Sequence, residues 1–293
     1  MQVFVRKKKS GCIFAKKPDA DPNGALVEII NSIPSSQTAI GECSHRSEVL
    51  FIQVAISPTG DLAVAADIHG NLFTFDFTRN KFSTVKHLSL PASCISIAMD
   101  SKPYIIVALS DYSLRIFNTV TNLQVACLRG HSSSITNISI HESMRYALTT
   151  SSETAFLWNL DTLTRKRKLS INKAIDLLMA RFIPNSNSIM TCFKDNSILI
   201  WDAESMTLLH ELKSSLAYNV TYRSFTCNSD GSSIAAAGKS SAVHIWDVTS
   251  ARIVKVLQMT TEAKSIKQVS FLAQHLYPEE LVAGTSVYDP FDI

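Results

Sequence analysis

The chain has 293 residues, 46% of them hydrophobic and 18% charged, with a net charge of +3. That composition supports a large core, and it is too weakly basic for a surface built throughout to hold nucleic acid. No run approaches the ~20 apolar residues of a membrane-spanning helix, so no membrane insertion is expected.

In chain order, residues 1–48 form a basic segment expected to be mostly disordered, with Arg6-Lys7-Lys8-Lys9 and one strand candidate at Ala25–Ile30. No apolar stretch follows the basic residues, so the segment does not read as a secretory signal. The first repeat begins near Val49. Val49–Ile56 reads as an innermost strand, Ser57-Pro58-Thr59-Gly60 as a turn, Asp61–Ala66 as a second strand, His69-Gly70-Asn71 as a hairpin turn and Leu72–Phe75 as a third strand. Further repeats start near Ser93, Ile135, Leu177 and Tyr222. The fourth is the clearest: Leu177–Ile183, Ser188–Phe193, Ser197–Trp201 and Met206–Leu212 are separated by turn residues. A sixth starts at Ile266–Phe271, and residues 272–293 are expected to be an irregular tail.

Each third strand ends in an aromatic followed by an acid or amide: Phe75-Asp76, Phe117-Asn118, Trp158-Asn159, Trp201-Asp202 and Trp246-Asp247. The aromatics lie 42, 41, 43 and 45 residues apart. This period predicts an all-β protein made of four-stranded propeller blades, five complete over 49–271 and a sixth incomplete. A propeller closes when its last blade meets its first. Ala25–Ile30 is the candidate closing strand. The ring is nevertheless expected to stay open, with apolar sides of blades 1 and 5 exposed, as in a shortened form of a longer scaffold; the alternative is a ring closed by Ala25–Ile30 pairing with residues 266–271.

Asp111 and Asp195, six residues before an aromatic, are placed to accept backbone N–H bonds across the hairpin turn. Gly130-His131 is placed to set an imidazole against such a turn, but its own blade has Ser152 and Glu153 there. Packing is therefore expected to hold these blades more than a His–Asp network does. The fixed repeat positions of Trp158, Trp201 and Trp246 read as core, not as an aromatic binding box.

The period, the Trp-Asp endings and Gly130-His131 resemble the WD-repeat family over roughly residues 49–271. A narrower set comprises Asp111-Tyr-Ser, Asn118-Thr-Val-Thr121, Arg129-Gly-His131, Tyr146–Ser152, Trp158–Thr162, Arg165–Leu169 and Cys192–Ile198. From near Gly24 onward, that set is similar to the N-terminal propeller of WD-repeat proteins that carry a TBC domain further along. The resemblance implies a centrosomal and centriolar-satellite scaffold linked to cilium assembly, with a TBC domain of the Rab GTPase-activating type. None of that domain's catalytic Arg and Gln motifs occurs here, so the activity is not expected of this chain.

The sharpest surface feature is Arg165-Lys166-Arg167-Lys168. It reads as a patch for an acidic or phosphate-bearing partner or an import receptor, or else as edge protection of an outer strand. His131 has no Gly-x-Ser-x-Gly partner motif, the other histidines lack metal-ligand spacing, and no phosphate-cradling Gly-rich loop is present. The six cysteines are never closer than 31 residues, which excludes Cys-x-x-Cys. Cys192 and Cys227 lie in apolar runs, as buried thiols of a reducing compartment would. The expected function is a non-catalytic cytoplasmic protein–protein scaffold with no cofactor, metal or small-molecule substrate. The alternatives are part of a Rab GTPase-activating protein and a nucleic-acid module acting through the basic clusters.

Overall fold

A computed structural model describes residues 14–15, 27–28, 51–99, 103–169, 175–212, 221–239, 242–258, 265–271 and 281–286. These fall in two compact units, Met1–Arg129 and Gly130–Ile293. All regular elements among the described residues are β-strands, and no helix there is long and apolar enough to cross a membrane.

In the first unit, β1 (Phe14–Ala15) pairs antiparallel with β2 (Val27–Glu28). Thus Val27 and Glu28 of the expected closing strand have Phe14–Ala15 as partner. The rest of residues 1–50, including Arg6–Lys9, lies outside the described residues. Blade 1 follows as β3 (Phe51–Ile56), β4 (Leu62–Asp67), β5 (Asn71–Asp76) and β6 (Lys81–His87). Blade 2 is β7 (Ala92–Ala98), β8 (Tyr104–Leu109), β9 (Leu114–Asn118) and β10 (Gln124–Leu128).

In the second unit, blade 3 is β11 (Ile135–Ile140), β12 (Tyr146–Ser151), β13 (Ala155–Asn159) and β14 (Thr164–Leu169). Blade 4 is β15 (Leu177–Phe182), β16 (Ser188–Phe193), β17 (Ile198–Asp202) and β18 (Leu208–Leu212). Blade 5 is β19 (Tyr222–Cys227), β20 (Ser233–Gly238), β21 (Ala242–Asp247) and β22 (Arg252–Gln258). Each blade is a four-stranded antiparallel meander in sequence order, as the repeat spacing predicts. A two-stranded sheet of β23 (Ser265–Phe271) and β24 (Leu281–Ser286) follows. The second of these strands falls inside the tail expected to be irregular. Its run carries Gly284 and no aromatic-acid ending, so only pairing with β23 identifies it.

Alternation along each strand sorts side chains onto two faces, and the faces pack in a fixed order. The face that carries the third-strand aromatic packs on the opposite face of the preceding blade. Phe117, Ile105 and Val107 of blade 2 join Val64, Ala66 and Leu72 of blade 1. Trp201 and Ile189 of blade 4 join Leu148, Leu157 and Leu169 of blade 3. Trp246, Ile234 and Phe225 of blade 5 join Met190, Cys192 and Ile200 of blade 4. On the far side of blade 5, Ala235, Ala237 and Val243 pack with Ile266 of β23, which is fully buried. That side of blade 5, expected to lie open, is therefore covered, because the sixth repeat supplies a packed hairpin. Phe75 sits on the remaining face of blade 1, 4% exposed, with Ala63 and Ala65.

The turn after each third strand is regular too. Its fifth residue beyond the aromatic has positive φ in all five blades: Asn80, Asn122, Leu163, Met206 and Ala251, between 48° and 58°. The left-handed turn holds Met206 out of the strand, so the outer strand of blade 4 starts at Leu208 and not at Met206.

Trp201 fills the boundary between blades 3 and 4. Trp201→Ala is expected to cost roughly 3–5 kcal/mol through the cavity it leaves. Denaturant unfolding measures this, and a loss below about 1 kcal/mol would place Trp201 outside the inter-blade core.

Candidate interaction surface

Most polar residues of the repeat are held inside it. The residue after each third-strand aromatic accepts from backbone N–H groups two or three positions on. Asp76 takes those of Thr78 and Arg79, Asn118 those of Val120 and Thr121, and Asn159 those of Asp161 and Thr162. Asp202 takes those of Glu204 and Ser205, and Asp247 that of Ser250. The job requires only an acceptor oxygen, which is why Asn replaces Asp in blades 2 and 3. Where Asp is present, hydrogen bonds within the turn hold the carboxyl below its usual range, chiefly from the Thr78 hydroxyl for Asp76, the Ser205 N–H for Asp202 and the Ser250 hydroxyl for Asp247.

Asp111 and Asp195 cap their hairpin turns, each accepting from the backbone N–H and the hydroxyl of the serine two residues on, Ser113 and Ser197. In blade 1 the cap comes from Asp67, which accepts from the backbone N–H groups of His69 and Asn71. Counting six back from Phe75 misses Asp67; the signal is an Asp two residues before His-Gly.

His131 does not meet a turn acid. Its Nε2 lies 2.8 Å from Thr149 Oγ1, which also accepts from Trp158 Nε1 at 2.8 Å. Trp201 Nε1 donates likewise to Thr191 Oγ1. The sequence reading missed both threonines, whose only mark is a Thr in the second strand nine or ten residues before the Trp. Blade 5 has Ala236 at the matching register, two residues beyond the partner of Trp246, and Trp246 Nε1 has no hydrogen-bond partner among the described residues. Blade 3 thus keeps a His–Thr–Trp network in place of the His–Asp network that the sequence expectation set below packing. Burial lowers the pKa of His131 to about 4 and lowers that of His244. Burial also pushes the Cys192 thiol up strongly and the Cys227 thiol to about 12.

The basic residues are arranged differently. β14 ends its sheet, and residues 164–168 are all exposed. The register opposes Arg165 to Trp158, Arg167 to Leu157 and Lys168 to Phe156, with Lys166 the extra residue of a bulge. Arg165 and Lys168 therefore lie on the Trp158 face, and Arg167 on the Leu157 face. The Arg165 guanidinium lies 5.1 Å from the centre of the Phe156 ring, and Lys166 Nζ lies 4.5 Å from that of Tyr146. Phe156 also packs edge-on against His131. Gly130 makes room for this stack, with φ 157°: a Cβ there would meet Arg165 Nη1 at 3.3 Å and the Phe156 ring at 3.5 Å. Among the described residues, none of the four cations has a carboxylate within ion-pair distance. On the Lys166 side, a cleft of about 180 Å³ between blades 3 and 4 is lined by His141, Tyr146, Leu157, Phe182 and Glu204. A larger cleft, about 520 Å³, lies between blades 1 and 2, but its carboxylates Asp61 and Asp76 already serve local turns.

Two outcomes are expected. Ala236→Ser gives Trp246 Nε1 the acceptor its counterparts have and should raise stability by about 1 kcal/mol; unchanged or lower stability in thermal melts would count against this register. Acid should destabilise the fold. The unfolded chain binds a proton at His131 below about 6.5 while the folded chain resists it down to about 4, so stability falls as pH drops through that window. The loss reaches up to about 3 kcal/mol, with His244 adding in the same direction. Melting between pH 7.5 and 4.5 should show a shallower pH slope for His131→Gln than for the native chain.

Residues 122–159 match the WD domain, G-beta repeat family. The chain is also similar to TBC1 domain family member 31: 37% identical over 282 residues to the Bos taurus protein, 36% over 281 to that of Homo sapiens and 38% over 283 to that of Oryzias latipes. These alignments cover 95–96% of this chain and 25% of each relative, so the chain spans about a quarter of their length. With its five four-stranded blades, its repeated aromatic-acid endings and this likeness, the chain is a WD-repeat protein of β-propeller blades, similar along nearly its whole length to part of a TBC1-domain protein.

Proposed function

We propose that the chain is a non-catalytic protein–protein interaction scaffold, working in the cytoplasm at the centrosome, centriolar satellites or ciliary base in cilium assembly. The observation that carries the reading is the division of polar groups. The acids, amides and His131 of the repeat are held in turns and core, while the four cations of β14 face solvent without acidic partners among the described residues. Groups fixed this way support recognition by a rigid surface. The setting rests on the resemblance to TBC-bearing WD-repeat scaffolds. The relatives' name favours a second reading, in which the chain serves within a regulator of a small GTPase whose activity resides in a TBC1 domain. A nucleic-acid role draws only on the basic residues.

In a GTP-hydrolysis assay, the purified chain should leave a panel of Rab GTPases at their intrinsic rates; stimulation would move the assignment to the second reading. Tagged and expressed in ciliating cells, the chain should concentrate at centrosomes or ciliary bases, whereas uniform cytoplasmic signal would remove the proposed setting.

A further inference from the structure

The five outer strands do not share one kind of edge. β10 reads Gln-Val-Ala-Cys-Leu and has no charge; β18 reads Leu-Leu-His-Glu-Leu, with Leu208 and Leu209 exposed. β22 exposes Val254, at 61%, between Arg252 and Lys255, and Val256 just beyond Lys255. Protection against edge-to-edge pairing would demand charge on each of these edges equally. Only β14 carries four consecutive cations, so edge protection does not account for them.

We infer that the β14 edge is a docking site for an acidic polypeptide segment in extended form, which adds to blade 3 as a fifth strand. The inference rests on the scaffold reading and names the chemistry of one partner. A strand edge presents a row of backbone N–H and C=O groups, and the backbone of β14 pairs only with β13 among the described residues. Another polypeptide matches that row; a nucleic acid does not. An added strand sends its side chains alternately to both faces, with neighbours on one face roughly 7 Å apart. The cations are likewise shared between faces, Arg165 and Lys168 on one and Arg167 on the other, with Lys166 over Tyr146 on the Arg167 side. Four cations along one strand cover roughly 13 Å. That suits a short acidic segment better than a phosphate backbone. The cleft beside Lys166, walled by Tyr146, Leu157 and Phe182, has room for a single apolar side chain of the docked segment.

Arg165 and Lys166 also brace blade 3 through their aromatic contacts, so Arg167 and Lys168 are the residues to reverse. The probe is a labelled, end-blocked decapeptide of alternating Glu and Val, titrated against the full chain by fluorescence anisotropy. It should bind, weaken as salt rises, and lose at least about tenfold in affinity for Arg167→Glu/Lys168→Glu. The control Arg252→Glu/Lys255→Glu on β22 should bind as the native chain does. The same peptide with alternate amides N-methylated, unable to complete the ladder, should bind more weakly. The inference is overturned by no binding, by equal loss in both variants, by undiminished binding of the N-methylated peptide, or by tighter binding of a ten-nucleotide single-stranded RNA. Matching melting curves for the native chain and both variants confirm that the fold is intact. A chain that reaches the centrosome but fails to bind the peptide loses this inference alone, and one that binds but stays diffuse loses only the proposed setting.

Discussion

A four-stranded blade has two apolar faces and cannot cover either by itself. In this chain that constraint is met by stacking. The face that carries the third-strand aromatic lies against the opposite face of the blade before it, as Phe117, Trp201 and Trp246 do. Each such ring removes a large apolar area from water and touches two blades at once, so blade stability is shared with the neighbour. The same need explains β23, whose buried Ile266 covers the far face of blade 5.

With both faces committed to apolar contact, polar groups have few places left. They stand at turns, where Asp76, Asn118, Asn159, Asp202 and Asp247 satisfy backbone N–H groups that no strand can reach. Others lie in the core with a partner, as Trp158 and His131 do on Thr149. Blade 5 departs from this pattern. Among the described residues Tyr222 Oη, His244 Nδ1 and Trp246 Nε1 are buried without partners, against His131 Nδ1 and Thr154 Oγ1 in blade 3, and the three rings of blade 5 are packed 5.6–5.9 Å apart. The substitution of Ala236 for the threonine of blades 3 and 4 accounts for the Trp246 part of that deficit, a cost that packing of three large rings must offset.

The outer strands touch neighbouring blades least, and there the repeats differ most. β14 carries four consecutive cations where β10 has no charge, β18 a single glutamate and β22 two separated cations. Two of its cations lie across rings of their own blade, and through Phe156 the edge is linked to His131 and to the room left by Gly130. The residue pair that marks the repeat in the sequence thus also sets the geometry of the basic edge. A rigid, charged edge of this kind suits recognition because little side-chain freedom is lost when a partner docks.

Local patterns along the chain were enough to establish the strand class, the five blades and the positions of their aromatics. Those follow from period-two alternation and a repeat of about forty residues, both local properties of the chain. These patterns also determined that Arg165–Lys168 form an outer strand. They did not reveal Asp67, Thr149 or Thr191, because a hydrogen-bond partner is chosen by register across strands and not by spacing along one. The left-handed turn residues Leu163, Met206 and Ala251 were equally hidden, since their types carry no preference for positive φ. The strand at Leu281–Ser286 came only with β23 as its partner. Tertiary structure alone decided which face of each blade meets which neighbour, and which cations rest on aromatic rings. Those outcomes depend on atoms brought together from residues far apart in the chain, and no local pattern encodes them.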